Sequence, residues 1–235
     1  MDKKALQLAC RFSLPPNSLG YCGQNTAPER FKKCVINGVC SNTEEELEKF
    51  IVLNPYLETL AHITKRDKFS YEVIEAYWLG NDDLKIAEVA HYRNLLDNFA
   101  KQGVPDWFVE ELRTKIPKVF IPHHLFQVLH VGVGKASGSV PFNLESINNC
   151  MIRWGKVVEI KDDELKANLN SLEKSRNGYK LTQKKYRAKF VNGFLPKLKL
   201  GDTVAVHWGQ AVKILTPKEV AQLSFWTQEV LKHIN

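Results

Sequence analysis

The chain has 235 residues, 44% of them apolar and 25% charged, with a formal net charge of +7 from 33 Lys and Arg against 26 Asp and Glu. That length and apolar content suffice for a buried core without staples, and they exclude a disordered, collagenous or disulfide-scaffold chain. No apolar run approaches the ~18 residues of a membrane span, and the opening stretch lacks a secretory apolar core, so the sequence reads as a cytoplasmic protein without membrane insertion.

The first 116 residues read as helices. Residues 3–14 place Ala5, Leu8, Ala9 and Phe12 on one face, and Pro15-Pro16 is expected to stop that helix. Thr43 with Glu46 three residues on has the pattern of a capping box, opening a helix through Leu53. Pro55 suits the first turn of the next helix, which runs to about Thr64. Ser70 caps a short helix that Gly80 ends. Asp82 or Asp83 then opens the longest helix, through Lys101, with Ile86, Val89, Ala90, Arg93, Leu96 and Phe99 at helical spacing. Gly103 ends it, and Asp106 caps another to Ile116.

Residues 118–138 are apolar, His-rich and broken by glycine, and fit either a strand and turn or a short helix. From Met151 onward, β-branched residues alternate with polar ones. Residues 153–160 and 165–172 read as a strand pair around a turn at 161–164, with three more short strands at 185–191, 203–207 and 211–214. Several short strands with turn signals fit a small barrel. Thr216-Pro217 starts a final helix to about His233.

The charge is unevenly shared. Residues 150–235 hold 16 Lys and Arg against 8 Asp and Glu, a net +8, which leaves −1 on residues 1–149. Much of the excess lies between Lys174 and Lys199, and Lys174, Arg176, Lys180, Lys184, Lys185, Arg187 and Lys189 are the candidate partner-binding residues. A basic module points to an acidic partner, and a solvated lysine-rich hairpin is the plainer reading. Tyr179, Tyr186, Phe190 and Phe194 are interleaved with these cations, which suits base stacking with phosphate contacts.

Five cysteines, an odd number without an extracellular signal, argue against a disulfide framework. The spacings of 12 and 6 between Cys22, Cys34 and Cys40 match no common zinc or iron–sulfur pattern, so Cys34 and Cys40 read as structural or incidental. Cys22 stands out, because Gly20-Tyr21-Cys22-Gly23 after Pro15-Pro16 describes a tight loop that brings a thiol close to a neighbouring group. His123, His124 and His130 can build a metal site with Cys22, Cys150 or His207, against the plainer reading that they pack, cap or face solvent. On a strand His124 and His130 share a side; on a helix His123 and His130 share a face.

The C-terminal residues carry a resemblance. Cys150-Met151-Ile152-Arg153-Trp154-Gly155-Lys156-Val157-Val158 resembles the opening of the HypC/HupF hydrogenase maturation chaperones, where a cysteine stands five residues before a glycine that leads into a Lys-Val-Val-type strand. Gly201-Asp202-Thr203-Val204-Ala205-Val206-His207-Trp208-Gly209 is similar to the second signature of that family, a Gly-Asp pair and then a strand ending in Val-His-x-Gly. Leu215-Thr216-Pro217-Lys218-Glu219 resembles the turn into its terminal helix. The N-terminal part resembles an uncharacterised prokaryotic family fused to such a tail.

The resemblance implies a small OB-like barrel acting as a metallochaperone for [NiFe]-hydrogenase maturation. Such a protein pairs with a HypD-like protein and holds an Fe(CN)2CO unit before passing it to the hydrogenase large subunit. Cys150 takes the place of the essential cysteine and His207 that of the signature histidine. A thiolate is a soft donor suited to such iron, and imidazole can ligate it or bond to its ligands. This chain departs from the family in that Cys150 is internal, Trp154 stands where the family has proline, and residues 173–187 form a basic addition.

The expected fold class is therefore α+β. It comprises an N-terminal all-helical domain (1–117), a His- and Gly-rich connecting segment (118–149), and an OB-like β-barrel with a C-terminal helix (150–235). Three functions fit, in order: a HypC-like metallochaperone or accessory protein, an OB-type single-stranded nucleic-acid-binding protein using the basic aromatic hairpin 174–199, and a thiol- or metal-dependent enzyme. The enzyme stands last because no Ser-His-Asp order, HExxH, P-loop or dinucleotide glycine pattern is present.

Overall fold

The computed structural model describes residues 2–24, 27–176 and 178–234. The described residues form a mixed α+β fold with ten α-helices and a five-stranded sheet.

Helix α1 (Lys3–Ser18) is capped by Asp2, whose carboxylate accepts from the Lys4 and Ala5 amides at 3.0 and 3.1 Å. The expected stop at Pro15-Pro16 does not occur, and both rings are buried inside the helix. Proline lacks an N–H but keeps its carbonyl: Pro15 accepts from Leu19 at 3.3 Å and Pro16 from Tyr21 at 2.9 Å, so the last turn closes. Helix α2 (Pro28–Asn37) ends at Gly38 in left-handed backbone. Cys34 within it is joined to Cys40 by a disulfide, so the two are structural rather than incidental, and the odd cysteine count expected to argue against disulfides does not keep this pair apart.

The helix expected over 43–53 is shorter. Asn42 is the cap position of α3 (Thr43–Glu48), and the chain turns before α4 (Leu53–Thr64). The Glu46 carboxylate, buried, pairs with Arg30 at 2.9 Å and Lys49 at 3.3 Å. Helix α5 (Tyr71–Trp78) follows Ser70 as expected.

The long helix expected over 82–101 is broken. The Asn81 side chain accepts from the Asp83 amide at 3.0 Å and starts a 3₁₀ turn, Asp82–Ile86. Ala87 is then extended, and α6 (Ala90–Gln102) begins afresh, so the longest helix is α10 instead. Helix α7 spans Asp106–Arg113. Residues 118–138 resolve toward helix: α8 (His124–Phe126) runs into a π-helical turn over Gln127–Gly132. Helix α9 (Leu144–Cys150), capped by the Asn143 side chain, hands the chain to the sheet.

The strands are β1 (Arg153–Lys161), β2 (Glu164–Ser175), β3 (Gly178–Phe190), β4 (Thr203–His207) and β5 (Gln210–Ile214). Their pairings run β1-β2-β3-β5-β4 and return from β4 to β1, antiparallel except for β3 with β5. The β2–β3 hairpin is longer than expected, because its ladder pairs continuously from Glu164↔Lys189 to Ser175↔Gly178. β4 and β5 are joined through Trp208 (φ 47°) and Gly209 (φ 73°) between the paired His207 and Gln210, the geometry of a type I′ turn. Helix α10 (Pro217–Ile234) closes the chain, with Leu223, Trp226, Val230 and Leu231 buried.

Helices and sheet share one apolar core that runs from Ala5 to Leu231. Arg11 of α1 ties the two together, donating to the carbonyls of Phe194 (2.6 Å) and Val212 (3.0 Å). Among the described residues, no helix is long and apolar enough to cross a membrane.

Candidate metal centre

Three side chains from three parts of the chain meet at the seam between helices and sheet. His124 opens α8, Cys150 is the last residue of α9, and His207 is the last residue of β4. All are buried, and their donor atoms lie within 4.8 Å of one another. Cys150 Sγ is 3.9 Å from His124 Nε2.

Hydrogen bonds to the far side of each ring set what the near side can do. His207 Nδ1 is 2.6 Å from the Phe12 carbonyl. A carbonyl only accepts, so Nδ1 carries the proton and Nε2 keeps its lone pair. That Nε2 is buried and makes no well-aligned hydrogen bond among the described residues, with the Cys150 backbone as its polar neighbour. In His124, Nε2 donates to the Cys150 carbonyl at 2.8 Å and Nδ1 accepts from the Tyr77 hydroxyl at 3.0 Å. A hydroxyl donates or accepts equally well. Both ring nitrogens are thus engaged, and a tautomer swap would set a bare Nε2 against the Cys150 carbonyl, so His124 can ligate through Nε2 only once that carbonyl moves off it.

Burial decides the charge states. It holds His124 down to about 4, and His207 well below its ordinary value, with His124 beside it adding to the effect. Both rings are thus neutral, the form that binds metal. Burial first, then Cys22, pushes the Cys150 thiol well above its usual range, while the Trp208 indole N–H beside it favours the thiolate. A metal ion would have to displace that proton.

Aromatic rings enclose the cluster. The Trp78 ring lies 4.6 Å from that of His124 and 5.7 Å from that of His207, and it stacks on Phe12 at 5.2 Å. The cluster forms part of the wall of a narrow cleft with a cavity volume of about 60 Å³, partly open to solvent. Cys22, Phe50, Val52, Val140 and Trp208 also line it.

The other residues singled out from sequence fall variously. Cys22 sits on the cleft wall, its loop held by Asn17 Nδ2, which donates to the Cys22 and Gln24 carbonyls at 2.8 and 2.9 Å. Burial pushes its thiol up to about 12. His123 stands outside the cluster, with Nδ1 accepting from the Leu125 amide at the start of α8 and burial holding the ring down to about 3. His130 is also outside, stacked on Phe126 at 4.7 Å with Nε2 3.2 Å from the Tyr92 hydroxyl. Lys174, Arg176, Lys180, Lys184, Lys185, Arg187 and Lys189 all lie on the β2–β3 hairpin and none lines the cleft. Of these, Lys180 and Lys184 pair with Glu173 at 3.7 and 2.6 Å. Sequence reasoning missed Tyr77, Trp78 and Trp208. The first two carry no local signal beyond helical spacing, and Trp208 is the variable position of the Val-His-x-Gly pattern.

Fold and site together define an α+β protein with a candidate His2Cys metal centre at the seam between its helices and its sheet. The chain belongs to the family of unknown function DUF6390, which it matches over residues 1–235. No curated protein and no solved structure matches it.

Proposed function

We propose that this protein is a metal-binding accessory protein, a HypC-like metallochaperone that holds its cargo through the Cys150 thiolate with His207 and His124. One observation supports this above the rest. Cys150 and His207, the two residues that the C-terminal resemblance singles out, meet in a single buried cluster to which His124 adds a third donor. One sulfur and two imidazole nitrogens suit Fe(II), Co(II) or Zn(II), and three protein donors leave a position open toward the cleft.

On this reading the ring of five strands is an OB-like barrel, the helical half shields the cargo, and the protein works in the cytoplasm. The cargo is iron as an Fe(CN)2CO-type unit. Because Cys150 is internal and buried, exchange with a HypD-like protein or a hydrogenase large subunit passes through the cleft mouth. The cations of the β2–β3 hairpin then face an acidic surface of that partner.

The test is anaerobic loading of the full chain with Co(II). One equivalent is expected, with a thiolate-to-cobalt charge-transfer band, and Cys150→Ala should lose both while keeping its circular dichroism. Equal uptake by Cys150→Ala, or none by the native chain, overturns the reading. For the iron unit, co-expression with a HypD-like protein is expected to give infrared bands of cyanide and CO that Cys150→Ala lacks.

The hairpin register favours the nucleic-acid reading as second. It sets Lys166 opposite Arg187 and Asn168 opposite Lys185 on one face; Glu159 pairs with Lys166 at 2.7 Å, which leaves Lys185 and Arg187 as the cations to meet phosphate. Salt-sensitive single-strand binding without metal uptake would move the assignment there. A thiol-dependent enzyme needs Cys150 as a thiolate without metal, and burial works against that.

A further inference from the structure

The cluster is buried, and the cleft beside it holds about 60 Å³, room for only a few water-sized groups. A metal unit carrying its own ligands therefore reaches Cys150 only where a wall of the cleft yields. Most of the wall is fixed. Leu53 belongs to α4, and Tyr77 and Trp78 to α5. Trp208 sits in the tight turn between β4 and β5. The Cys22 loop is pinned by Asn17, and Tyr21 within it packs on Trp208 at 4.6 Å.

The remaining wall is the segment between the π-helical turn and α9, which sets Val133, Ala136, Ser139 and Val140 against the cleft. Its hydrogen bonds are local. The Val133 amide donates to Val128 at 3.0 Å, that of Lys135 to Gly132 at 3.2 Å and that of Gly138 to Gly134 at 2.7 Å. The Ser137 hydroxyl donates to that of Ser139 at 2.8 Å. Among the described residues, its polar tie to the rest of the molecule is the ion pair of Lys135 with Glu111 at 3.9 Å, between two partly exposed side chains. What holds it down is the apolar contact of Val133 and Ala136, both buried. A segment bonded chiefly to itself opens at low cost while the rest of the fold stays closed.

The segment is also built to move as one piece. Gly134, at φ 76°, lies against Val140, and a Cβ there would stand 2.1 Å from the Val140 carbonyl oxygen, so the two ends of the loop touch. Gly138, at φ 69°, turns its tip, where a Cβ would meet nothing within 4 Å. At its foot Gly132, at φ 97°, supplies a pivot. His124 and Cys150 belong to α8 and α9, outside the segment, so it can lift without withdrawing a donor.

We propose that residues 133–142 form a lid that pivots at Gly132 and lifts off the cleft as a unit, admitting and releasing what Cys150 and His207 hold. What the lid admits rests on the metal-binding reading; its movement does not.

The experiment labels the metal-free full chain with iodoacetamide and follows Cys150 and Cys10 separately by mass spectrometry. Cys150 lines the cleft, whereas Cys10 is buried in α1 and does not. Gly138→Ala strains only the left-handed backbone of the closed lid, so it should speed Cys150 about fivefold and leave Cys10 unchanged. Gly134→Ala, which also collides with Val140, should speed it further. Gly103→Ala carries the same kind of strain at the end of α6, at φ 87° with nothing within 4 Å of its Cβ, and should leave Cys150 as in the native chain. Equal Cys150 rates in the native chain and both lid variants overturn the lid. So does acceleration by Gly103→Ala equal to that by Gly138→Ala, because access then comes through general unfolding. In the Co(II)-loaded chain, Gly138→Ala should speed release to EDTA about fivefold with affinity held within about twofold, and an unchanged release rate overturns the lid as the gate. Failure of cobalt to bind overturns the metal-binding reading, while the thiol rates still decide the lid.

Discussion

Gly155 leaves β1 no room for a side chain. A Cβ there would stand 1.7 Å from the Asn168 carbonyl oxygen and 2.6 Å from its carbon, because β2 crosses at Gly155↔Leu169. Backbone cannot swing aside as a flexible side chain can. Gly155→Ala is therefore expected to cost roughly 3 kcal/mol, read as a lower urea midpoint, with the strand pair disturbed next to Cys150. An unchanged midpoint would show that β1 and β2 are not held so closely. This glycine was legible in the sequence, as were Cys150 and His207, because each occupies a fixed place in a short pattern. His124 was legible only as one of three histidines. What picks it out is tertiary: the register of α8 against Tyr77 and the Cys150 carbonyl, which no local spacing encodes. Trp208 was hidden for the same reason, since its place depends on a left-handed turn and on a thiol 58 residues upstream.

Element boundaries show where local rules and packing diverge. Most helices and all five strands lie near where periodicity and turn chemistry put them. Helices α2 and α9 correspond to no element expected from sequence, and two further misses come from local signals read without their context. Pro15-Pro16 reads as a stop, but two prolines in a last turn remove only donors, and both rings are buried inside the helix. Conversely, the apolar spacing over 82–101 looked continuous, yet the Asn81 side chain captures the Asp83 amide and favours a tighter turn. The Cys34–Cys40 link fixes another element end, joining α2 to the turn beyond Gly38. Closing so short a loop is worth roughly 2 kcal/mol through the unfolded state. Reductant, or the double change Cys34→Ser with Cys40→Ser, is expected to lower the unfolding free energy by that amount, read as a lower urea midpoint. A midpoint indifferent to reductant would show that the bond contributes nothing.

At the scale of the whole molecule, the seam between helices and sheet is built on uncharged histidines, and that makes the fold sensitive to acid. His123, His124 and His207 are all buried, and burial holds them to about 3, about 4, and well below the ordinary 6.5. The unfolded chain takes up these protons near pH 6.5, and the folded chain only much lower. Between those limits the unfolded state binds more protons, so stability falls as pH falls. Each histidine contributes a slope of about 1.4 kcal/mol per pH unit, and the three together reach roughly 4 kcal/mol per unit at the steepest. The metal-free chain should therefore lose much of its urea midpoint between pH 6.5 and 5, above the range where most carboxylates titrate. A flat profile from pH 7 to 5 would mean that these rings are already protonated or solvated in the folded chain, and the seam would then not be the dry junction described. Metal sharpens the expectation. With an ion on His124 and His207, protons and metal compete for the same nitrogens, so metal release and loss of stability should share one acid midpoint. Loss of metal well above the pH at which the fold weakens would separate the two events, and would make the cleft mouth, rather than the seam, the route by which cargo leaves.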